Sequence, residues 1–165
     1  MKLKVVIRFL LIQLLFAQSL WQALYAQSTK SYEGVYTGSA YRILMNGEPK
    51  EARNMVFTLD NGVLIAVLDK LGKMPGSVHF CISGVTLASD GKLATSAANA
   101  GEIHLFGLFS PTLEWDADSG DPLGAFHGTL RTIHGVKTLE LHLNVTSLAG
   151  FSRKKAKFSF LGVVK

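Results

Sequence analysis

Cysteine is nearly absent: Cys81 is the only cysteine in 165 residues. A single cysteine cannot form an intramolecular disulfide, and the two-cysteine spacing of zinc and redox sites is excluded. The stability of the folded chain therefore has to come from apolar packing and backbone pairing. A domain of this length can bury enough apolar surface to do so.

A strong charge imbalance is also missing once the first residues are set aside. Lys2, Lys4 and Arg8 are three of the 17 basic residues, which leaves 14 against 12 acidic residues and a net charge of +2. A nucleic-acid-binding surface requires a concentrated excess of Lys and Arg. We therefore expect no nucleic-acid partner.

Short catalytic motifs are absent as well. The sequence contains no nucleophile elbow, no phosphate-binding loop and no helical two-histidine zinc motif. Paired carboxylates that meet only in space remain open, but no specific pair is indicated. We predict that the protein is not an enzyme, and we predict no cofactor and no metal.

One uninterrupted apolar segment stands out, and it lies near the start. The basic residues at 2, 4 and 8 precede the run from Phe9 to Ala17, and a more polar stretch ends at Ala26. This order is typical of a secretory signal peptide. An uncleaved membrane anchor is the alternative, but the run is shorter than the roughly 20 residues that span a bilayer. We predict a signal peptide at 1–26 and one exported domain at 27–165, periplasmic or secreted, with no membrane span after cleavage.

After residue 30, apolar and polar residues alternate with the period of two that half-buried strands show. The clearest example runs from Leu139 to Val145. Asn-Gly and similar pairs, at 46–47, 60–62, 90–91 and 134–135, predict tight turns between the runs. The spacing predicts an all-β domain of eight or nine strands, a sandwich or an antiparallel barrel.

Glycines within the strands favour the barrel. Four of them fall in phase with apolar faces: Gly84, Gly107, Gly128 and Gly162. Glycine inside a strand commonly marks a sharp bend or a close approach, and closing a sheet on itself requires several bends. The alternative is that the glycines leave room for a ligand.

Several segments together resemble a known family. They are Tyr32-Glu33-Gly34-Val35-Tyr36, Leu59-Asp60-Asn61-Gly62, Met74-Pro75-Gly76-Ser77-Val78, Gly84-Val85-Thr86-Leu87, Asp90-Gly91-Lys92 and the stretch from Leu139 to Leu148. From Tyr32 to Val164 the chain resembles the calycin-like domain of small secreted bacterial proteins, a lipocalin-type group. The resemblance implies an up-and-down barrel of about eight strands and brings no catalytic residues. Gly34-Val35-Tyr36 stands where lipocalins tend to have Gly-x-Trp, so Tyr36 is expected to plug one end.

An eight-stranded barrel can enclose one small ligand or fill with its own side chains. The apolar faces supply the residues that would line a cavity for an apolar or amphipathic molecule: Phe57, Phe80, Ile82, Ile103, Leu105, Phe126, Leu130, Leu141, Phe158 and Phe160. The same residues would form an ordinary core if no cavity exists. The leading interpretation is a ligand-binding barrel. The alternative is an interaction module with a filled barrel, contacting an envelope protein or a glycan.

Four histidines fall on the polar faces of their runs: His79, His104, His127 and His142. Two or three of them could bind a metal if their strands were neighbours, with Cys81 on the same face as His79. The sequence spacing of the histidines is not that of a metal site, so solvated side chains are the expectation. A Cys81–His79 nucleophile pair lacks an orienting acid.

Two charged segments remain. The segment around Asp116, Asp118 and Asp121 spaces carboxylates as calcium loops do, but a solvated loop is the expected reading. Trp115 lies inside it and is predicted to cap the barrel mouth or to pack beneath. The basic run at 153–155 is expected to protect a strand edge, and attraction of anionic lipid or an acidic partner is the alternative. Trp115 and Lys154 are the predicted contact residues for a protein partner of unknown identity.

Overall fold

A computed structural model describes residues 30–71, 74–105, 109–149 and 152–164. The predicted signal peptide at 1–26 lies outside these residues. Within them, no helix has the length and apolar character that crossing a membrane requires. The described chain forms twelve strands: β1 Gly34–Met45, β2 Glu48–Lys50, β3 Arg53–Asp60, β4 Val63–Leu71, β5 Met74–Ile82, β6 Val85–Leu87, β7 Lys92–Thr95, β8 Gly101–Leu105, β9 Thr112–Trp115, β10 Phe126–Ile133, β11 Val136–Ala149 and β12 Ser152–Val164.

Antiparallel pairing closes the sheet into a barrel. Its eight strands follow one another in the order β12, β1, β3, β4, β5, β8, β9 and β11, and β11 pairs again with β12. The remaining strands extend this barrel, because β10 pairs with β11, β7 with β10, and β6 with β7, while β2 pairs with β1. The predicted all-β barrel of about eight strands is confirmed.

Interruptions explain why twelve strands occupy about eight places. β6 follows β5 after residues 83–84, and β8 follows β7 after residues 96–100. Residues 116–125 separate β9 from β10, although both pair with β11. The sequence pattern from Ser110 to Leu123 predicts an irregular segment, and β9 shows that this prediction is wrong for Thr112–Trp115.

Four predicted turns have the backbone that their residues favour. Asn46 and Gly47 have φ values of 52° and 85°, and Asn61 and Gly62 have 46° and 71°. His134 and Gly135 repeat the pattern at 50° and 81°, and Gly91 has φ 82° in the fourth turn. In the first three turns, positive φ at both central positions matches the twist of the flanking strands, so these pairs join neighbouring strands directly.

The two ends of the barrel are named here after residues of β1. The Tyr36 end is the end at which β1 begins, and there the turn at 61–62 joins β3 to β4 and the turn at 134–135 joins β10 to β11. At the opposite end, the Met45 end, β1 meets β2, and β4 meets β5. Tyr36 is fully buried and its hydroxyl donates to the Tyr32 carbonyl. Burial raises the pKa of Tyr36 to about 12.

Glycines in the barrel wall permit close approach. Gly38 of β1 pairs with Gly162 of β12. A Cβ on Gly38 would lie 1.9 Å from the Leu161 carbonyl oxygen, and one on Gly162 would lie 2.4 Å from Cζ of Phe160. A Cβ on Gly128 would lie 3.0–3.1 Å from side-chain atoms of Leu93 and Leu141. Gly84 has a φ of +60°, which favours glycine. Gly107, also predicted to bend the wall, lies outside the described residues.

Candidate functional site

The barrel interior gathers the predicted cavity residues. Nine of the ten are buried, and Phe126 is half-buried against them. Phe57 forms the centre of an aromatic cluster, with its ring centroid 4.9 Å from Phe160 and 6.0 Å from Phe80. Phe158 meets Phe80 edge-on at 5.5 Å. Alternation on β3, β5 and β12 therefore places these rings on one continuous inner surface.

On β5 and β12, inward side chains become slightly more exposed toward the Met45 end. On β5 the exposed fraction falls from 4 % at Val78 to 2 % at Phe80 and 0 % at Ile82, moving toward the Tyr36 end. On β12, Phe158 is 6 % exposed and Phe160 is 0 % exposed. The β8 side chains Ile103 and Leu105, toward the Met45 end, are each 8 % exposed. The inner surface is therefore least covered, though still buried, on this side of the Met45 end.

Lys154 lies beyond the buried part of β12 at the Met45 end. It falls in phase with the inward residues Phe158 and Phe160, and it is exposed. It pairs across the sheet with Ser147, whose hydroxyl donates to the Thr112 carbonyl. The predicted contact residue Lys154 is therefore accessible, at the rim of the same end.

Trp115 packs against the barrel instead of projecting into solvent. It is half-buried, and its ring meets Phe126 edge-on at 5.8 Å. Its indole N–H donates to the Ala97 carbonyl at 2.8 Å. Of the two alternatives for this ring, packing beneath the loop fits the geometry. Trp115 therefore has a smaller exposed fraction available to a partner than Lys154, which is exposed.

Residues 116–125, called here the clasp, cover the outer face of β11 and β12. Backbone bonds hold both of its ends, since Asp116 N–H donates to the Asn144 carbonyl and Asn144 N–H donates to the Ala125 carbonyl. The Asn144 side chain also donates to the Gly124 carbonyl at 2.6 Å. Asn144 is only 1 % exposed, although it faces outward. The expectation of a solvated loop holds for the exposed Asp118 but is wrong for Asp116 and Asp121, whose side chains pack on the strand face that alternation assigns to solvent.

Opposite charges fix the clasp to β12. The Asp121 carboxylate pairs with Lys157 and with Nε2 of His142, which lies 3.2 Å away. The Lys157 ammonium group, the Leu123 backbone N–H and His142 together hold the pKa of Asp121 well below its usual range. Asp116 forms a second pair with Lys155, at 3.0 Å. Because lysines already neutralise Asp116 and Asp121, the calcium alternative loses the unpaired negative charge that a calcium site needs.

A hydrogen-bonded Ser-His-Asp chain lies under the clasp. His142 contacts Ser159 Oγ through Nδ1 at 3.1 Å and Asp121 through Nε2. In serine hydrolases the acid holds Nδ1 and the nucleophile faces Nε2, so this order is reversed. Ser159 and His142 are buried, and Lys157 already neutralises the acid. The chain fits a structural role better than acyl transfer, and the absence of enzymatic activity stays a prediction.

The outward histidines form two separate pairs. His127 and His142 face each other across β10 and β11. On another part of the outer wall, the rings of His79 on β5 and His104 on β8 stack with centroids 4.0 Å apart. The expectation of solvated side chains is wrong for His142, which the clasp buries. Cys81, on the same face as His79, is exposed.

Comparison with known proteins identifies no relative. No family model matches the chain, and neither a curated protein nor a solved structure is significantly similar to it. The barrel and its surface groups are therefore the basis for inference about function.

Proposed function

We propose that this protein is an exported, non-catalytic barrel that binds a small apolar or amphipathic molecule through its Met45 end. One observation carries the proposal, namely that inward side chains of β5 and β12 are slightly more exposed toward that end, where Ile103 and Leu105 of β8 are each 8 % exposed. Binding sites for small molecules are concave and mostly apolar, with few polar groups. A ligand entering there would first meet Ile103, Leu105 and Phe158, all of which are apolar.

The polar end of an amphipathic ligand would remain near Lys154. This side chain is exposed at the rim, in phase with the inward positions of its strand. The Tyr36 end offers less access, because Tyr36 is fully buried and bonded to Tyr32. The arrangement supports a binding site that opens at one end and has an apolar interior.

One sequence feature and one structural feature support the remaining parts of the proposal. The basic start, apolar run and Ala26 at residues 1–26 support export and cleavage. The eight-stranded antiparallel barrel is consistent with the calycin-like group that the turn motifs resemble. In that reading the domain comprises residues 27–165.

Native mass spectrometry of residues 27–165, purified gently from the exported fraction, tests the proposal. We expect a mass above that of the bare chain, with the excess lost on organic extraction. Leu105→Trp places a bulky ring in the mouth and should abolish the excess mass. Val136→Trp adds the same ring at an exposed position of the Tyr36 end and should retain it. A bare mass that persists after incubation with fatty acids, sterols and haem would contradict ligand binding.

A second candidate function rests on the outer wall. Six apolar side chains on β1, β3, β4 and β12 are each 42–48 % exposed: Val35, Val56, Ile65, Val67, Leu161 and Val163. Cross-strand register links them, since Val163 and Val56 both pair with Thr37. Large contiguous apolar patches on monomers are commonly interaction sites. An interaction module predicts that Val56→Lys abolishes capture of an envelope partner while any bound ligand is retained.

A further inference from the structure

The stacked histidines lie on the outer wall between β5 and β8. In the antiparallel register, Ser77 pairs with His104 and His79 pairs with Glu102. The two histidines are therefore diagonal neighbours, and their rings lie within 14° of parallel with centroids 4.0 Å apart. His104 is 40 % exposed, so solvent and ions reach the pair.

Neighbouring side chains determine which ring nitrogens are free. Nε2 of His104 contacts Glu102 Oε1 at 2.7 Å. A carboxylate only accepts hydrogen bonds, so Nε2 carries the proton and the neutral ring has its lone pair on Nδ1. Nε2 of His79 contacts Ser77 Oγ at 2.7 Å, and that hydroxyl can accept in the same way. Histidines that bind metals usually hold their other ring N–H in such a bond, most often to a carboxylate or carbonyl.

The local charge favours a cation. Asp69 pairs across the sheet with Ser77, and Glu102 lies directly opposite His79. Among the described side chains, the outward positions of β4, β5 and β8 contain neither lysine nor arginine. The described side chains of this part of the wall are thus acidic, although the chain as a whole carries a net positive charge. The attraction is local to the histidine pair.

We propose that His79 and His104 form a binding site for a divalent transition-metal ion, such as Zn²⁺, Ni²⁺ or Cu²⁺, through their Nδ1 atoms. Two imidazole nitrogens on one tetrahedral ion lie roughly 3.3 Å apart, because each metal–nitrogen bond is roughly 2.0–2.1 Å long. The ring centroids are 4.0 Å apart, so the two imidazoles are close enough to share one ion. Parallel rings direct their lone pairs in parallel, so binding requires each ring to rotate toward the common ion.

The site supplies two protein ligands, and water completes the coordination. No three His, Cys, Asp or Glu side chains in the described parts of the chain are grouped so as to hold a metal. Glu102 keeps its bond to His104 and acts as a positioning residue, orienting the ring and raising its basicity. Zn²⁺ suits the test because imidazole is among its usual ligands.

Zinc titration of residues 27–165 by isothermal calorimetry tests the site. We expect saturable binding of one Zn²⁺ that weakens at least tenfold in His79→Ala and in His104→Ala. Glu102→Gln should weaken it about tenfold, the lower range for loss of a group that orients a metal ligand. His134→Asn is the matched control, because His134 is exposed in a turn at φ 50°, a conformation that asparagine accepts. Circular dichroism confirms that each variant is folded.

Cys81 requires its own control because a thiolate also binds zinc. Cys81→Ser should leave the zinc affinity unchanged. Loss of binding in Cys81→Ser would overturn the assignment and identify the thiol as the ligand. Equal affinity in His79→Ala, His134→Asn and the unmodified chain, or no saturable binding in any of them, would also overturn it.

Discussion

Gly162 and Phe160 test whether the barrel interior is packed as described. Both lie on the inward side of β12, and the Phe160 ring occupies the space that a Gly162 side chain would need. A Cβ on Gly162 would lie 2.4 Å from Cζ and 2.7 Å from Cε1 of that ring. Phe160 is fully buried and contacts Phe57, so its ring cannot move away freely. Gly162→Ala is therefore expected to be destabilising, although alanine is intrinsically better than glycine in a strand.

The magnitude follows from overpacking and its relief. Adding a methyl group to a packed core costs about 1–3 kcal/mol of unfolding free energy. Phe160→Leu removes the outer ring carbons, at a cost of about 2 kcal/mol for the lost apolar burial. In that background the Cβ of Gly162→Ala enters vacated space. Alanine's advantage over glycine, about 0.5–1 kcal/mol, should then reverse the sign of the substitution.

Urea denaturation of the four proteins of this double-mutant cycle measures the coupling. Trp115 is the only tryptophan in residues 27–165, so its fluorescence reports unfolding without interference. We expect a coupling energy of about 1–3 kcal/mol between the two substitutions. Gly38→Ala is the control, because its Cβ would meet the Leu161 carbonyl and Gly162 Cα, which Phe160→Leu does not move. Additive effects of Gly162→Ala and Phe160→Leu would refute the packing described for this end of the barrel.

Three further predictions concern the clasp and the Tyr36 end. The pKa of Asp121 is lowered in the folded protein, so the Asp121 carboxylate stabilises the fold above its unfolded pKa of about 3.9, and this stabilisation is lost as pH falls below that value. Asp121→Asn should therefore make the free energy of unfolding depend less on pH in the acid range. The pKa of Tyr36 is raised to about 12, so Tyr36 ionises first in the unfolded chain and the stability of the fold should fall between pH 10 and 12. Thermal melts should show a smaller loss of stability over this range in Tyr36→Phe. Asn144→Ala should lower the free energy of unfolding by about 1–3 kcal/mol, because it removes the hydrogen bond to the Gly124 carbonyl. Limited proteolysis within residues 116–125 should then be faster, as mass mapping of the fragments would detect. Unchanged cleavage would argue against the clasp.

The barrel could be predicted from the sequence because its determinants are local. Alternation from Leu139 to Val145 assigns one face of β11 to the interior, and these inward side chains are indeed buried. Asn46-Gly47 and His134-Gly135 adopt the positive φ that their composition favours. Strand count was less accessible, because interruptions such as 83–84 divide strands without changing the barrel's order.

The clasp could not be predicted, because it depends on contacts between residues distant in sequence. Alternation assigns His142 and Asn144 to the outer face and therefore to solvent. Their burial depends on residues 116–125 lying across β11, which no local pattern indicates. The one available signal was complementary charge: aspartates at 116 and 121, and lysines at 155 and 157. The His79–His104 contact was inaccessible for the same reason, since it requires β5 and β8 to be neighbours.

The clasp and Trp115 both act on the least paired strand of the barrel. In the described residues, β9 pairs with β8 at two positions and with β11 at two positions, whereas β11 and β12 pair at twelve positions. Short pairing makes β9 the weakest part of the wall, so it needs bonds from outside the ladder. Trp115 supplies one to Ala97, and the clasp supplies another where Asp116 N–H meets the Asn144 carbonyl. Since β9 pairs with β8, where Ile103 and Leu105 line the more exposed end, these bonds also hold the wall of the proposed binding site in place.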